Sequence, residues 1–198
     1  MNSKISETGY WSGDNAHNHH VHSPKLAQFI VDILYGKFSD DNGEVLNPKK
    51  RIYDLGCGLG EYLLKLEQEG FSNLVGFEGD IPKNKVYTNI WKQDLTRPIA
   101  SDEKGHLLFL EVGEHIPQEF EKDVVSNIYN LCKGYLILSW AVPGQAGFGH
   151  VNCKTNEEVI ELFQKLGFIY LPAISEEARK NVDDFAPWFR QTLMIFYK

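Results

Sequence analysis

Two glutamates and a histidine lie close together in the segment 110–117, directly after an apolar run. Their order is Glu111, Glu114 and His115, so on a helical turn the three side chains would project from one face. Two carboxylates and an imidazole at one point repel or desolvate one another unless a cation or a proton lies between them. The spacing therefore predicts a metal site or a proton-transfer site, with Glu111, Glu114 and His115 as catalytic candidates.

A glycine-rich segment, Asp54-Leu55-Gly56-Cys57-Gly58-Leu59-Gly60, stands between an apolar run and a helical pattern. Glycines at such a turn let a ligand approach the backbone, and the following helix offers free N–H groups. We therefore expect a small polar ligand there. A nicotinamide dinucleotide is disfavoured, because Glu61 occupies the position of its third glycine and an acid would oppose a pyrophosphate.

Short apolar runs alternate with helical patterns along most of the chain. The patterns predict strands over 51–55, 73–78, 86–91, 106–111, 134–140, 168–171 and 192–197, and helices over 24–35, 60–69, 118–131 and 156–166. This alternation predicts an α/β, Rossmann-like fold with a mostly parallel seven-stranded sheet flanked by helices. The link between the second and third strands is too short for a full crossover helix, so either that helix has shrunk to about a turn or those two strands are misplaced.

Length and composition place the chain among single-domain proteins. It has 198 residues, which we divide into an N-terminal segment and helix (1–50, with a polar stretch at 39–50 as the boundary) and a core (51–198). The polar N-terminus and three scattered cysteines lead us to expect a cytoplasmic protein with free thiols and no membrane span. Its net charge of −7, with no basic run longer than Lys49-Lys50-Arg51, argues against a nucleic-acid partner.

The segment Asp54 to Gly60 resembles the signature of the class I S-adenosylmethionine-dependent methyltransferases, an acid and one spacer followed by Gly-x-Gly-x-Gly. The resemblance covers 51–198 and implies the fold of that family and S-adenosylmethionine as cofactor. It also implies that Asp54 holds the methionine end, that Glu78 binds the ribose hydroxyls and that the residues around 93–95 contact adenine. The cofactor-binding residues that we expect are Asp54, Gly56, Cys57, Gly58, Gly60, Glu78, Asp94, Leu95, Glu111 and Trp11.

The Glu-x-x-Glu-His pattern is similar to the divalent-metal set of the methyltransferases that modify the 3′-terminal ribose 2′-hydroxyl of small RNAs. That resemblance implies metal ligation by Glu111, Glu114, His115 and a distant histidine, for which His150 is the candidate, with Mg²⁺ or Mn²⁺ as the ion. A metal there would chelate a sugar diol and lower the pKa of the hydroxyl to be methylated. Two alternatives stay open, namely His115 as a metal-free general base and a structural role for the cluster.

Two further segments predict acceptor or cofactor contacts. In class I methyltransferases an N-terminal segment often folds over the cofactor, so Tyr10 or Trp11 could stack on a ring and His20 or His22 could reach the active site. Trp140 begins a glycine-rich loop after the fifth strand, which suits acceptor binding. An exposed tail and an ordinary connecting loop are the alternatives.

These observations predict an S-adenosylmethionine-dependent O-methyltransferase that acts on a sugar hydroxyl of a glycan, assisted by a divalent metal. The stretches 7–22 and 140–152 look like methyltransferase modules attached to glycosyltransferases in large-virus glycan assembly. That resemblance implies rhamnose or another deoxyhexose as acceptor and a glycosyltransferase as a fused or working partner. The alternatives are an RNA ribose 2′-O-methyltransferase and a non-catalytic S-adenosylmethionine-binding subunit.

Overall fold

The computed structural model describes residues 4–13, 20–38 and 47–198. Most of the polar stretch 39–50, which was predicted to separate the N-terminal segment from the core, lies outside these ranges. The strands are β1 (Lys4–Ile5), β2 (Trp11–Ser12), β3 (Ile52–Leu55), β4 (Leu74–Glu78), β5 (Ile90–Lys92), β6 (Gly105–Phe109), β7 (Cys132–Leu138), β8 (Ile169–Tyr170) and β9 (Met194–Tyr197). The helices are α1 (Pro24–Leu34), α2 (Glu61–Gln68), α3 (Glu121–Leu131), α4 (Asn156–Lys165), α5 (Pro172–Lys180) and α6 (Phe189–Thr192), with short 3-10 helices at Gly113–His115 and Gln118–Phe120.

Seven strands form one sheet in the order β5-β4-β3-β6-β7-β9-β8. Four neighbouring pairs in this order are parallel, namely β5–β4, β4–β3, β3–β6 and β6–β7. Strand β9 runs antiparallel to both of its neighbours, β7 and β8. The predicted seven-stranded, mostly parallel sheet is therefore confirmed. Its strand order reverses between β3 and β6, and ligands of open α/β sheets bind at such a switch point beyond the carboxyl ends of the strands.

The first helix forms where the sequence signals predict it. Ser23 caps α1, because its hydroxyl accepts a hydrogen bond from the Leu26 amide, and Pro24 occupies the first helical position without losing a bond. The apolar side of α1 is buried against the sheet. A second signal is a complete capping box between Thr155 and Glu158 at the start of α4.

Apolar side chains fill both faces of the sheet. One cluster combines α1 and α2 with residues of β3, β7 and β9, and a second combines α3 and α4 with the opposite faces of the same strands. Alternate residues of β3 show this division, since Ile52 belongs to the first cluster and Tyr53 to the second. The sheet is thus covered on both sides, and its carboxyl edge holds the polar groups. Within the described ranges, no helix is long and apolar enough to cross a membrane.

The third predicted strand is displaced furthest from its expected position. The strand expected at 86–91 begins only at Ile90, because Val86 donates its amide hydrogen to the Leu59 carbonyl and Tyr87 packs against Gly60. These residues support the glycine loop instead of pairing in the sheet. The described link between β4 and β5 contains no helix, β4 lies where the second strand was expected, and only the third strand is misplaced. The strand expected at 106–111 ends at Phe109.

Candidate active site

A cavity of about 370 Å³ opens at the carboxyl edge of the sheet, beyond β3, β4, β6 and β7. The glycine loop after β3 forms part of its floor, and the hairpin β1–β2 lies across it. The cavity reaches from Glu78 and Asp94 on one side to Glu114, His115 and His150 on the other. We call these two parts the Glu78 end and the Glu114 end.

At the Glu78 end, a buried carboxylate is tied to the glycine loop. Glu78 Oε2 accepts a hydrogen bond of 2.8 Å from the Gly58 amide, and Oε1 accepts one of 2.9 Å from the Gly79 amide. Gly58 has a φ of +54°, a conformation that glycine adopts at little cost. Burial nonetheless raises the pKa of Glu78. The loop conformation and the acid at the end of β4 therefore hold each other in place.

Asp54 presents an uncompensated carboxylate to the same cavity. The residue is only 3% exposed, and its Oδ2 atom has no hydrogen-bond partner among the described residues. Burial, and next the nearby Glu78 carboxylate, raise the pKa of Asp54 to about 8. Leaving a buried charged group unpaired is costly, so a cationic or hydrogen-bond-donating ligand would stabilise this position.

The N-terminal hairpin covers the cavity from the outside. Thr8 donates a hydrogen bond of 2.9 Å from its hydroxyl to Asp94 Oδ2, and the Tyr10 side chain lies directly on Gly79, where a Cβ atom would come within 2.3 Å of it. The Trp11 ring lies 5.0 Å from the His115 ring and 5.7 Å from the His20 ring. Trp11 therefore stands between the two ends, and Tyr10 lies beside Glu78.

Most of the predicted cofactor-binding residues border the cavity. Two of the loop glycines do not line it, because the His20 ring covers Gly58 and the Tyr87 side chain packs against Gly60. The predicted residues that do line it are Trp11, Asp54, Gly56, Cys57, Glu78, Asp94, Leu95 and Glu111.

At the Glu114 end, three potential metal ligands converge. One ligand atom each from Glu114, His115 and His150 lies within 4.8 Å of the other two. Glu114 Oε1 is 3.9 Å from His115 Nε2 and 4.0 Å from His150 Nε2. Both distances are too long for hydrogen bonds. Glu114 is fully buried, and neither of its carboxylate oxygens has a hydrogen-bond partner of good geometry in the described part of the chain.

The contacts of the Nδ1 atoms of His115 and His150 indicate which tautomer each ring adopts. His115 Nδ1 lies 3.3 Å from the Gly149 carbonyl oxygen, and His150 Nδ1 lies 3.1 Å from the Gln145 carbonyl oxygen. A carbonyl oxygen only accepts, so each Nδ1 carries the hydrogen and each neutral ring turns an Nε2 lone pair toward Glu114. The two imidazole lone pairs and the Glu114 carboxyl group thus face one another without a hydrogen bond between them, an arrangement that suits a cation.

Main-chain contacts hold this trio together. The amides of Val151 and Asn152 both donate to the Glu114 carbonyl oxygen, at 2.8 and 3.0 Å, and so fix the loop that carries His150. Burial, and next the proximity of His150, lower the pKa of His115 to about 4. Burial, and next the Glu111 carboxylate, raise the pKa of Glu114. Without a cation, the surroundings therefore disfavour charge on each of these two groups.

Glu111 does not share a helical face with Glu114 and His115, and that prediction is wrong. The 3-10 helix begins only at Gly113, and Glu111 has a φ of +54°, which is rare for a residue with a side chain. Its carboxylate accepts hydrogen bonds from Gln145 Nε2 at 3.0 Å and from Thr192 Oγ1 at 3.3 Å. Glu111 therefore lines the cavity beside the trio instead of completing it, which removes it from the four-ligand set.

The structure also changes the predicted acceptor contacts. Trp140 is 1% exposed, donates its indole hydrogen to the Asn152 carbonyl at 2.6 Å and lies against Gly113. It does not line the cavity, so its ring supports the 3-10 helix and has no free face for an acceptor. His20 and His22 do line the cavity, His20 over Gly58 and His22 beside Tyr62.

Four further residues line or brace the cavity, and sequence reasoning missed two of them, Tyr62 and Thr192. Gln145 contacts both Glu111 and His150, Thr192 contacts Glu111, and Tyr62 and Trp188 form part of the wall. Thr192 lies in α6 and Trp188 in the turn before it, directly ahead of β9 in the chain. Because β9 pairs with β7, the neighbour of β6 in the sheet, this segment is brought close to the end of β6. No local pattern marks Thr192.

No family model matches the sequence, and no curated protein matches it significantly. Solved structures do share its fold. The magnesium protoporphyrin IX methyltransferase of Synechocystis PCC 6803 with bound S-adenosylmethionine is 18% identical with a TM-score of 0.55, over 87% of this chain and 78% of that one. The 1,6-didemethyltoxoflavin-N1-methyltransferase of Burkholderia thailandensis with bound S-adenosylhomocysteine is 12% identical with a TM-score of 0.57, over 87% and 76%.

A third similar structure, the [4+2]-cyclase SpnF, is 15% identical with a TM-score of 0.56 and covers 98% of this chain and 87% of that one. The similar structures thus include an enzyme whose name states a cyclisation, and the shared fold leaves the reaction open. This chain has the Rossmann-like fold of the class I methyltransferases.

Proposed function

We propose that the chain is an S-adenosylmethionine-dependent O-methyltransferase that acts on a sugar hydroxyl of a glycan, with a divalent cation held by Glu114, His115 and His150. The observation that carries the proposal is the convergence of these three electron-pair donors in the cavity that also contains the glycine loop, Asp54 and Glu78. A cofactor loop and a cation site within one cavity suit transfer of a group to a chelated hydroxyl.

The residues at the Glu78 end fit the cofactor. Asp54 Oδ2 lacks a partner and would accept from the ammonium group, while Glu78 retains lone pairs for the two ribose hydroxyls. Thr8 orients Asp94 for the adenine, and Tyr10 closes the cavity over Gly79. When bound, S-adenosylmethionine supplies an electrophilic methyl group.

The residues at the Glu114 end fit a hard or borderline divalent ion, since one carboxylate and two neutral imidazoles are typical ligands for it. Such an ion, when bound, acts as a Lewis acid on vicinal hydroxyl oxygens. Glu114 and the two histidines hold it in place, while Glu111 lies beside the trio and can accept a hydrogen bond from the acceptor. His115 as a metal-free base assisted by Glu114 is less well supported, because 3.9 Å between His115 Nε2 and Glu114 Oε1 leaves the pair unbonded.

The charge of the cavity favours a neutral acceptor over RNA. None of the described residues that line it is lysine or arginine, and the stretches 1–3, 14–19 and 39–46 contain neither residue. Six carboxylates line it, those of Asp54, Glu61, Glu78, Asp94, Glu111 and Glu114. Methylation of an RNA ribose would place phosphates against this surface without a lysine or arginine side chain in the described lining to pair with them. Rhamnose or another deoxyhexose, offered by a glycosyltransferase partner, meets no such repulsion.

Transfer of labelled methyl groups from S-adenosylmethionine tests the proposal. The full chain is incubated with deoxyhexose-containing oligosaccharides or with short RNAs, each with Mg²⁺ or Mn²⁺ and again with a chelator. We expect label in the saccharide pool that disappears with the chelator and returns when the metal is added back. Label only in RNA would contradict the acceptor, label that survives the chelator would contradict the metal, and cofactor binding without any transfer would support a non-catalytic subunit.

A further inference from the structure

One wall of the cavity presents hydrogen-bond donors that no described residue uses. His22 Nε2 and Trp188 Nε1 are both buried and have no hydrogen-bond partner in the ranges that the structure describes. Each residue lines the cavity. The indole Nε1 always donates, and the neutral His22 ring donates from Nε2 in the tautomer that carries its hydrogen there. A buried polar group without a partner costs about 1–3 kcal/mol, so with His22 in that tautomer the two groups indicate a ligand that accepts hydrogen bonds.

Tyr62 adds a third donor to this wall. Its ring lies 4.8 Å from the His22 ring, and its hydroxyl oxygen accepts a hydrogen bond from the Ser23 amide at 3.3 Å. Because the oxygen serves as acceptor there, the hydroxyl hydrogen is free to point into the cavity. We call His22, Tyr62 and Trp188 the donor wall.

The fold brings the donor wall together from three distant segments. Ser23, next to His22, donates its hydroxyl hydrogen to Asp183 Oδ2 at 2.8 Å, and Asp183 lies in the turn that leads to Trp188. Tyr62 comes from the first turn of α2, directly after the glycine loop, and packs with Trp188 against the same buried cluster. The donor wall is therefore a built feature of the start of α1, α2 and the turn before α6.

The ligand group that fits this wall is an anion, and the cavity has few other places for one. Its remaining surface carries six carboxylates and no lysine or arginine among the described residues. Burial raises the pKa of Tyr62, and the nearby carboxylates of Asp54, Glu61 and Glu111 raise it further. Asp54, whose Oδ2 lacks a partner, therefore lies near Tyr62. An acceptor for a cation and a set of donors for an anion thus lie side by side, as an α-amino-acid group requires.

We propose that His22, Tyr62 and Trp188 bind the carboxylate of the cofactor's methionine moiety, while Asp54 accepts from its ammonium group. The assignment rests on the proposed use of S-adenosylmethionine and moves His22 from the acceptor to the cofactor. It makes the donor wall a specificity determinant, because a ligand without the carboxylate would leave all three donors unpaired. The chain would therefore discriminate strongly against decarboxylated S-adenosylmethionine, which keeps the sulfonium and the ammonium.

Calorimetric affinities for these two compounds test the proposal on the full chain without relying on turnover. We expect the unmodified chain to bind S-adenosylmethionine at least about tenfold more tightly, since hydrogen bonds to a charged group contribute about 1.5–3 kcal/mol. Trp188→Phe and His22→Phe each remove a donor and keep an aromatic ring. Each should weaken binding of S-adenosylmethionine about tenfold and change that of the decarboxylated compound less than about twofold.

Trp91→Phe is the matched control, because Trp91 is 62% exposed and does not line the cavity. It should leave both affinities unchanged. Equal affinity of the unmodified chain for the two compounds would overturn the donor wall and leave the proposed function intact, whereas failure to bind either compound would overturn both. Loss of discrimination in His20→Phe, with none in His22→Phe or Trp188→Phe, would place the carboxylate over the glycine loop and also overturn the proposal.

Discussion

Glu78 and Glu114 are buried carboxylates in the same cavity, yet their surroundings differ. Both oxygens of Glu78 accept hydrogen bonds from backbone amides, whereas neither oxygen of Glu114 has a well-placed donor in the described chain. Two imidazole nitrogens lie about 4 Å from Glu114, and the backbone amides of Glu114 and Ala141 only partly offset the burial that raises its pKa. Glu78 is therefore fixed before any ligand arrives, whereas under the proposed function a cation completes the surroundings of Glu114. If the proposed function is right, the comparison separates a binding role at one end from a chemical role at the other.

Substitution of Glu114 should have the largest effect and act only at its own end. Glu114→Gln replaces a charged ligand with an amide, so we expect methyl transfer to fall by about 10²-fold or more and Mn²⁺ binding to be lost. Affinity for S-adenosylmethionine should stay within about twofold. Calorimetry with Mn²⁺ and with the cofactor measures both, and Glu119→Gln, an exposed neighbour, is the control. Unchanged Mn²⁺ affinity would contradict the assignment of the trio.

Glu111 lies between the two ends, and its substitution sharpens the comparison. Because its carboxylate is held by Gln145 and Thr192 instead of joining the trio, Glu111→Ala should lower methyl transfer by about 10²-fold and leave Mn²⁺ affinity within about threefold. Cofactor affinity should also be nearly unchanged. If Mn²⁺ binding disappeared with this substitution, Glu111 would be a fourth ligand after all.

Asp54→Asn should weaken cofactor binding about tenfold and at the same time stabilise the empty protein. The pKa of Asp54 in the folded chain, about 8, lies above its usual value near 3.9, so the folded state retains a proton that the unfolded state releases. The aspartate therefore lowers the free energy of unfolding progressively as the pH rises from about 4 to 8.

Urea unfolding without cofactor measures this difference. Asp54→Asn should match the unmodified chain near pH 4 and be more stable by about 1 kcal/mol or more at pH 8. Equal stability at both pH values would mean that Asp54 is already paired in the empty cavity.

Thr8→Val should have the smallest effect, since it removes one hydrogen bond between the hairpin and Asp94 and keeps the shape of the side chain. We expect a loss of about three- to tenfold in cofactor affinity and no change in Mn²⁺ affinity. Ser12→Ala, on the same hairpin but outside the cavity lining, is the control. An effect on Mn²⁺ binding would show that the hairpin couples the two ends.

The sequence predicted the sheet and the glycine loop because both depend on local patterns. Alternating apolar runs mark β3 and β4, and Asp54 to Gly60 lies in one continuous stretch, so neighbouring residues carried enough information. The position of β5 was wrong because Val86 and Tyr87 have strand-forming side chains that pack on the glycine loop instead. Tertiary contacts overrode the propensity there.

The Glu114 end was only partly predictable for the same reason. Glu111, Glu114 and His115 suggest a helical face by spacing, but the positive φ at Glu111 turns its side chain toward Gln145 and Thr192. His22 was expected to reach the active site, but the donor wall as a whole could not be predicted, because His22, Tyr62 and Trp188 meet only after three distant segments have packed together.

The most direct test of the account is a crystal structure of the full chain with S-adenosylhomocysteine and Mn²⁺, with anomalous scattering used to locate the metal. We expect one manganese peak bound by Glu114, His115 and His150, and the nucleoside over the glycine loop with its ribose on Glu78. A cavity that holds the nucleoside and has no manganese at Glu114 would contradict the division of labour between the two carboxylates.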